Sequence, residues 1–311
     1  MTCCADAGRD SLRYGNDRGQ NMRIKRLGHV GLTVPDVEAT VDFYERIMGM
    51  EVSECQEDAV YLRCNEEHHC LSLFAGPSRQ LHHLGLELSS TCPLEEARSW
   101  LADHGVEALD APANEPGHGA AIECRDPDGN LLQFYQGMDR LKQPLAAREI
   151  RVSKFGHINY MVEDFARSMD FYTDILGFRL SDRMEDQGAW LRCNQDHHAI
   201  AFLSSDVSGV HHYAYELKDW DSLKRFCDNL WHNGEVISWG LGRHGPGHNL
   251  FCYIGDNSGN IVELFAELDQ IWDEETYEPL NWKDELRTLC VWGGAPPYPH
   301  YMKGDPSVPE D

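Results

Sequence analysis

The sequence lacks three features that would each assign the chain to a class of protein. It contains no run of about 18 or more apolar residues, which a membrane-spanning helix requires. Its opening stretch, MTCCADAGRDSLRYGNDRGQ, lacks the apolar segment of a secretory signal. It contains 11 cysteines but no CxxC pair, so a zinc site built from such pairs is not expected. We therefore expect a cytoplasmic protein with reduced thiols.

Positive charge is also scarce. The chain has 27 Lys and Arg residues against 52 Asp and Glu residues, which gives a formal net charge of −25. A chain this acidic is repelled by nucleic acid phosphates and by anionic lipids, so neither nucleic acid nor a membrane is expected as a partner. Hydrophobic residues make up 41% of the chain, which is enough for a packed core.

An internal repeat organises most of the 311 residues. The string LGHVGLTVPDVEATVDFYERIMGM from Leu27 matches FGHINYMVEDFARSMDFYTDILGF from Phe155. Further matches follow in the same order, from LRCNEEHH with LRCNQDHH to DPDGNLLQFY with DNSGNIVELF. The chain is therefore predicted to contain two homologous domains, at 24–138 and 152–268.

Within each copy the pattern predicts strands alternating with helices. A β-rich start (GHINYMV in the second copy) precedes a helix that Asp164 caps and Gly177 ends, and a second strand and helix begin at HHYAYEL. We predict an α+β fold of two homologous domains, each made of two paired βαβββ modules that form a half-open barrel. Residues 1–23 are predicted to be a flexible extension, and 269–311 an aromatic-rich extension that packs over a domain.

Three residues of the second copy form a candidate metal site. His157 and His212 lie on the first strands of the two modules, and Glu263 lies on the last strand. If the modules face each other, these strands converge. Two imidazoles and one carboxylate leave coordination positions open on iron(II) or manganese(II).

The first copy serves as an internal control. It keeps His29 and His83 at the equivalent positions, but the residue that matches Glu263 is Gln133, which is neutral. The first domain is therefore predicted to lack metal. Three further residues of the second copy, His198, His244 and Tyr253, correspond in the first copy to His69, Asn114 and Glu123. Independent drift of two non-catalytic halves is the alternative interpretation.

Five motifs together carry a family resemblance. They are GHINY at 156–160, HHAIAF at 197–202, HHYAYEL at 211–217, GRHGPGHNLFCY at 242–253 and NIVELF at 260–265. In this combination the sequence resembles the vicinal oxygen chelate superfamily (glyoxalase, bleomycin resistance protein and dioxygenase). Within that superfamily it resembles the type I extradiol ring-cleaving catechol dioxygenases, whose N-terminal domain lacks metal and whose C-terminal domain binds it.

The resemblance implies extradiol (meta) cleavage of a catechol-type diol by dioxygen, giving a muconic semialdehyde-type product in aromatic compound degradation. It implies that the metal is iron(II), with manganese(II) as the alternative, and that the ligands are His157, His212 and Glu263. The catalytic residues that it implies are His198 beside dioxygen, His244 near the substrate and Tyr253 at a substrate oxygen. We also expect a homo-oligomer.

Four residues are candidates for contact with the substrate. Asn159 and Trp190 resemble pocket residues of the homoprotocatechuate-cleaving branch, while Arg243 and His248 are polar residues of one loop. Trp239 stands where that branch would place an arginine for the substrate carboxylate. The sequence therefore does not decide whether the substrate ring is neutral, alkyl-bearing, trihydroxylated or carboxylated.

Two alternative functions accompany this interpretation. The first is a glyoxalase-like isomerase or thiol transferase of the same fold, because a fold does not determine a function. The second is a non-catalytic protein that binds aromatic ligands. The combination of His198, His244 and Tyr253 argues against the first, and the retention of all six polar positions in one domain argues against the second.

Overall fold

The computed structural model describes residues 22–297 and 301–304. Of the predicted flexible extension, 1–23, residues 1–21 lie outside the described residues. The described chain forms an 8-stranded sheet followed by a 9-stranded sheet. Among the described helices, none is both long enough and apolar enough to cross a membrane.

The first sheet contains two βαβββ modules. Its strands are β1 (Ile24–Val34), β2 (Glu51–Cys55), β3 (Ala59–Arg63), β4 (Leu71–Ala75), β5 (Gln80–Leu88), β6 (Leu109–Asp110), β7 (Ala121–Arg125) and β8 (Leu131–Tyr135). Its helices are α1 (Val37–Arg46) and α2 (Leu94–Asp103). The strand order β2-β3-β4-β1-β5-β8-β7-β6 joins the modules through the antiparallel pair β1 and β5.

The second sheet repeats this arrangement. Its strands are β9 (Lys154–Val162), β10 (Arg179–Met184), β11 (Gly188–Arg192), β12 (Ile200–Ser204), β13 (Gly209–Glu216), β14 (Ile237–Arg243), β15 (Leu250–Gly255), β16 (Ile261–Ala266) and β17 (Leu280–Trp282). Its helices are α3 (Phe165–Asp170), which continues as a π-helix (Phe171–Ile175), and α4 (Trp220–His232). The order is β14-β15-β16-β13-β9-β12-β11-β10-β17, so the modules join at β13 and β9. The predicted α+β class and the repeated module are confirmed.

Aspartates begin three of the four long helices. The side chains of Asp36, Asp164 and Asp219 each accept a hydrogen bond from the backbone N–H three residues later. Such a cap satisfies one of the N–H groups that the first helical turn leaves without a partner. The helix predicted from Asp164 is present, and its last turn is the π-helix. The π-helix ends at Ile175, and the predicted stop residue, Gly177, follows two residues later.

The two repeats contact each other through matched tyrosine–aspartate pairs. Tyr44 of the first repeat donates to Asp256 Oδ2 of the second at 3.1 Å. Tyr172 of the second repeat donates to Asp126 Oδ2 of the first at 3.0 Å. Asp126 and Asp256 are the first residues of the DPDGN and DNSGN turns. The turn that closes the last hairpin of each repeat therefore anchors the other repeat.

The chain after the second repeat packs against the second sheet. Strand β17 runs parallel to β10, and Trp282 donates its indole N–H to Asp182 at 2.7 Å. A short helix, α5 (Leu286–Leu289), and a 3-10 turn (Tyr301–Lys303) follow. The Tyr301 carbonyl accepts from His211 Nε2 at 3.1 Å, so the described part of this extension reaches the strand that bears His212.

Candidate functional site

Three adjacent strands bring the predicted ligands together. On β13, Ala214 pairs with His157 of β9 on one side and with Glu263 of β16 on the other. Directly paired residues share a face of a sheet. His212 precedes Ala214 by two residues, so its side chain points to the same face.

The three side chains meet at one carboxylate oxygen. Glu263 Oε2 lies 3.0 Å from His157 Nε2 and 3.1 Å from His212 Nε2. All three residues are buried. Their potential ligand atoms lie within 4.8 Å of one another, which is the closeness that a single metal ion requires.

The donor set fits a divalent cation. Among the described residues, Glu263 forms ion pairs only with histidines, so no lysine or arginine compensates its buried charge. Burial acts to raise the pKa of Glu263, but the neighbouring His157 and the close contacts with the two histidine rings hold it well below its usual range. An ionised carboxylate with neutral imidazoles suits manganese, iron or zinc.

A second histidine orients His212. Its Nδ1 is 2.7 Å from His211 Nδ1, and His211 Nε2 is hydrogen-bonded to the Tyr301 carbonyl. Because that carbonyl only accepts, His211 carries its proton on Nε2 and accepts from His212 through Nδ1. His212 therefore presents an unprotonated Nε2 to the site, as a metal ligand must. Burial lowers the pKa of His212 to about 4, so the neutral ring predominates at neutral pH.

His198 stands beside the triad in a similar pair. Its ring centroid is 4.5 Å from that of His157, and its Nδ1 is 3.1 Å from His197 Nδ1. His197 Nε2 in turn lies 3.3 Å from Asp182 Oδ2. Burial, and then the neighbouring His157, lower the pKa of His198 well below its usual value. The nitrogen that His198 leaves free is Nε2.

Tyr253 and His244 form the opposite wall. Tyr253 pairs directly with Glu263 in the β15–β16 ladder, and its hydroxyl is 3.1 Å from His244 Nε2. His244 Nδ1 lies 2.5 Å from the carbonyl oxygen of Leu289, so it donates there and accepts at Nε2. Trp239, the next residue in this row across the sheet, stacks on Tyr253 at 5.1 Å between ring centroids.

A cavity opens over these groups. Its lining comprises His157, Asn159, Trp190, His198, Ala201, Leu203, His211, His212, Trp239, His244, Pro246, Tyr253, Glu263, Thr288, Leu289 and Met302. The structure thus gathers the ligand candidates, the catalytic candidates, Asn159 and Trp190 around one space. Asn159 lies opposite His212 in the β9–β13 ladder, and its buried Oδ1 has no hydrogen-bond partner.

Arg243 and His248 lie outside this cavity. Arg243 donates to the His248 carbonyl at 2.6 Å and to Glu267 at 2.7 Å. His248 is half exposed and pairs with Asp269 at 2.7 Å. Their nearness to His244 in sequence therefore does not bring their side chains to the site.

Sequence reasoning missed several residues that contact the candidate site residues or line the cavity. Asn249 is fully buried and donates to Glu263 Oε1 at 2.9 Å. Its position next to the β15 motif was a usable signal, because it is a polar residue at the start of a buried strand. Leu289, Tyr301 and Met302 come from the extension, where no repeat unit offers a comparison.

The first repeat builds the same face differently. Gln133 stands at the position of Glu263, paired with Gly85, which also neighbours His29. Its amide nitrogen donates to Glu115 Oε2 at 2.8 Å. Glu115 lies in the loop between β6 and β7, and sequence comparison of the repeats missed it because its counterpart is Gly245. That this domain lacks metal stays a prediction.

Comparison with known proteins places both repeats in one family. The sequence profile of the Glyoxalase/Bleomycin resistance protein/Dioxygenase superfamily matches residues 26–134 and 154–264. A manganese-dependent 2,3-dihydroxybiphenyl 1,2-dioxygenase of Geobacillus genomosp. 3 is 27% identical over 297 residues, which are 87% of this chain and 94% of that protein. An iron-dependent extradiol dioxygenase of Rhodococcus jostii (strain RHA1) is 28% identical over 297 residues, 88% of this chain and 97% of that one.

A solved structure supports the fold over nearly the full length. The Mn(II)-bound glyoxalase from Novosphingobium aromaticivorans superposes with a TM-score of 0.82 at 26% identity. The match covers 92% of this chain and 97% of that chain. Both sheets and the face that carries the candidate metal site therefore belong to a known architecture.

Proposed function

The chain belongs to the Glyoxalase/Bleomycin resistance protein/Dioxygenase superfamily, and from this premise we propose that it is an extradiol dioxygenase. It cleaves the ring of a catechol-type diol next to the hydroxyl pair and incorporates both atoms of dioxygen. Two of its relatives are named as dioxygenases of this kind. The product is of the muconic semialdehyde type, formed in aromatic compound degradation.

One observation carries this proposal. The His157–His212–Glu263 cluster shares its cavity with His198, His244 and Tyr253. The cluster uses only three protein ligands, which leaves room for both oxygens of a diol and for dioxygen. A binding protein would not need three further protic groups around such a site.

The metal is iron(II) in this proposal, with manganese(II) as the alternative. The relatives' names mention both metals. When bound, the ion neutralises the charge of the deprotonated diol and brings the diol and dioxygen together. The protein holds it with the Nε2 atoms of His157 and His212 and with Glu263. The homo-oligomeric state and the cytoplasmic location stay predictions.

His198 moves a proton on the dioxygen side. Its Nδ1 is occupied by His197, so the proton that the ring gains or gives up is carried on Nε2. Because burial disfavours the charged ring, a proton taken from the substrate hydroxyl is readily passed on. Positioned acid–base groups of this type contribute about 10²–10⁴ to a rate.

Tyr253 and His244 orient the substrate on the other side. His244 accepts at Nε2, so the Tyr253 hydroxyl donates to it in the absence of substrate. A substrate oxygen that enters the cavity competes for this donor. Burial, with the nearby Glu263, raises the pKa of Tyr253 well above its usual value, so the phenol stays protonated and able to donate.

The substrate is a neutral catechol in this proposal. Among the described residues, none that lines the cavity is a lysine or an arginine, and Arg243 is engaged with Glu267. Trp190, Leu203 and Trp239 give the walls a large apolar surface. A carboxylate placed there would lose its hydration without gaining a partner, which is costly. Walls of this kind favour apolar ring substituents over charged ones.

A second candidate function is a glyoxalase-like isomerase. A Mn(II)-bound glyoxalase is among the structural neighbours. The two functions differ in their need for dioxygen, because isomerisation of a hemithioacetal consumes none.

An oxygen electrode separates them. Protein loaded anaerobically with iron(II) is mixed with neutral catechols and, separately, with a methylglyoxal–glutathione hemithioacetal. We expect oxygen uptake and a coloured product with catechols only. Turnover of the hemithioacetal without oxygen uptake on any catechol would establish the isomerase instead.

A further inference from the structure

A buried histidine cluster in the first repeat surrounds a single carboxylate oxygen. Glu115 Oε1 lies 3.4 Å from the Nε2 atoms of His29, His69 and His83 alike. The three rings are at most 1% exposed, and the Glu115 side chain is 8% exposed. This cluster is separate from the His157 site and has no part in the function proposed above.

The distances from Glu115 Oε1 to the three rings are those of neighbouring metal ligands, whereas His29 Nε2 and His83 Nε2 are hydrogen-bonded to each other at 2.8 Å. Zinc–ligand bonds of about 2.0–2.1 Å in a tetrahedral site place neighbouring ligand atoms about 3.4 Å apart. Glu115 Oε1 meets three imidazole nitrogens at this distance. His29, His69 and Glu115 also have ligand atoms that all lie within 4.8 Å of one another.

Hydrogen bonds from neighbouring histidines orient two of these rings, as similar bonds do in the second repeat. His69 Nδ1 is 3.0 Å from His68 Nδ1, and His83 Nδ1 is 2.8 Å from His82 Nδ1. These pairs match His197–His198 and His211–His212 in sequence and in contact. In His69, His83 and His212 the Nδ1 atom is occupied and Nε2 faces the carboxylate. The buried His69 Nε2 has no hydrogen-bond partner of its own.

The carboxylate itself has moved to another element. In the second repeat it comes from β16 as Glu263, whereas in the first it comes from the β6–β7 loop as Glu115. Gln133 holds it there through a hydrogen bond to Oε2, and Ser72 donates to Oε1 at 3.2 Å. Among the described residues, no lysine or arginine forms an ion pair with Glu115. The nearest other group that can carry positive charge is His118, whose Nε2 is 3.8 Å from Oε2 and whose pKa is raised, despite burial, by its contact with Glu115.

We propose that the first repeat binds a second divalent transition-metal ion through His29, His69 and Glu115. The neutral Gln133 alone predicts a first domain without metal. Glu115 of the β6–β7 loop supplies the carboxylate that Gln133 lacks and so reverses that prediction. Imidazole-rich sites with one carboxylate favour zinc and similar ions.

Metal counting on purified protein tests the proposal. The full chain is stripped with chelator, saturated with Zn²⁺, desalted and analysed by elemental mass spectrometry. We expect two Zn²⁺ per chain, one in Glu115→Gln, one in Glu263→Gln and none in the double variant. His69→Gln is the second variant at the same site and should also lose one ion.

Glu123→Gln is the matched control. Its carboxylate contacts Gln133 from the other side at 3.3 Å and forms no ion pair with a histidine among the described residues. It should keep two ions per chain. One ion per chain in the wild type, unchanged by Glu115→Gln and lost in Glu263→Gln, would overturn the proposal.

A thermal shift gives an independent readout. An ion that binds only the folded state raises Tm, and the rise grows with the logarithm of the ion concentration relative to its Kd. In the Glu263→Gln background, Zn²⁺ should raise Tm, and the further change Glu115→Gln should abolish that rise. An equal rise in both proteins would place the binding elsewhere and contradict the site.

Discussion

Glu263 and Tyr253 face each other directly across the β15–β16 hairpin. One hairpin therefore positions two groups of the site. One is the Glu263 carboxylate, which contacts His157 and His212, and the other is the Tyr253 hydroxyl, which contacts His244. The equivalent pair in the first repeat is Gln133 and Glu123. Two of the differences between the repeats thus belong to a single pair of neighbouring positions, which changes a candidate metal ligand and a protic group together.

Removing the charge of Glu263 should remove one metal ion per chain. Glu263→Gln keeps the shape of the side chain but leaves His157 and His212 without an anionic partner, and the dioxygenase activity should fall to background. Metal analysis and oxygen uptake measure the two effects. The control is Glu267→Gln, four residues later and paired with Arg243 outside the cavity. Full metal content and activity in Glu263→Gln would exclude it as a ligand.

Replacing His198 should separate chemistry from metal binding. In His198→Gln the ligand triad is intact, so metal content should be unchanged, while kcat falls by about 10²–10⁴ through loss of the proton carrier. Stopped-flow kinetics with metal analysis on the same sample tests this. His104→Gln, at an exposed helix end, is the control. Loss of metal from the His198 variant would instead make it a ligand.

The apolar cavity wall should select neutral catechols. We expect kcat/KM for 3-methylcatechol to exceed that for 3,4-dihydroxyphenylacetate by at least about tenfold, which corresponds to 1.4 kcal/mol. Leu203→Arg, which adds a cation to the wall, should reduce the ratio of kcat/KM for 3-methylcatechol to that for 3,4-dihydroxyphenylacetate. Steady-state oxygen uptake measures both substrates. A wild-type preference for the carboxylated catechol would contradict the assignment of the wall.

The matched tyrosines between the repeats should contribute to stability without affecting catalysis. Tyr44→Phe and Tyr172→Phe each remove a hydrogen bond to a buried aspartate, and each should lower the free energy of unfolding by about 1–3 kcal/mol. Urea denaturation measures the loss. Tyr277→Phe, whose hydroxyl bonds to the Ser181 carbonyl in a part-buried position, should have a smaller effect. No loss in either tyrosine variant would show that these contacts do not hold the repeats together.

The sequence predicted the fold and the composition of the site because the repeat supplied its own comparison. His157, His212 and Glu263 fall on strands whose order follows from the modules, so the sequence alone predicts that their side chains lie close together. Asn249 could have been added from its position in the same motif.

Other contacts could not be read from the sequence because they depend on how loops fold back. Glu115 enters the first repeat from a loop that has no counterpart carboxylate in the second. Leu289 and Tyr301 reach His244 and His211 from the extension, far along the chain. Arg243 failed to reach the cavity for the converse reason: it ends β14 beside His244, but its side chain pairs with Glu267.

The central claim is tested most directly by the fate of isotopically labelled dioxygen. Iron-loaded protein is supplied with ¹⁸O₂ and 3-methylcatechol, and the product is analysed by rapid quench and mass spectrometry. An extradiol dioxygenase consumes one O₂ per catechol and yields a ring-opened acid with an aldehyde or, for cleavage beside the methyl group, a methyl ketone. Two ¹⁸O atoms are incorporated, one in the carboxylate and one in the carbonyl that exchanges with water after the quench. A metal-replete protein that leaves the ring closed, or a product with no ¹⁸O, would contradict the account.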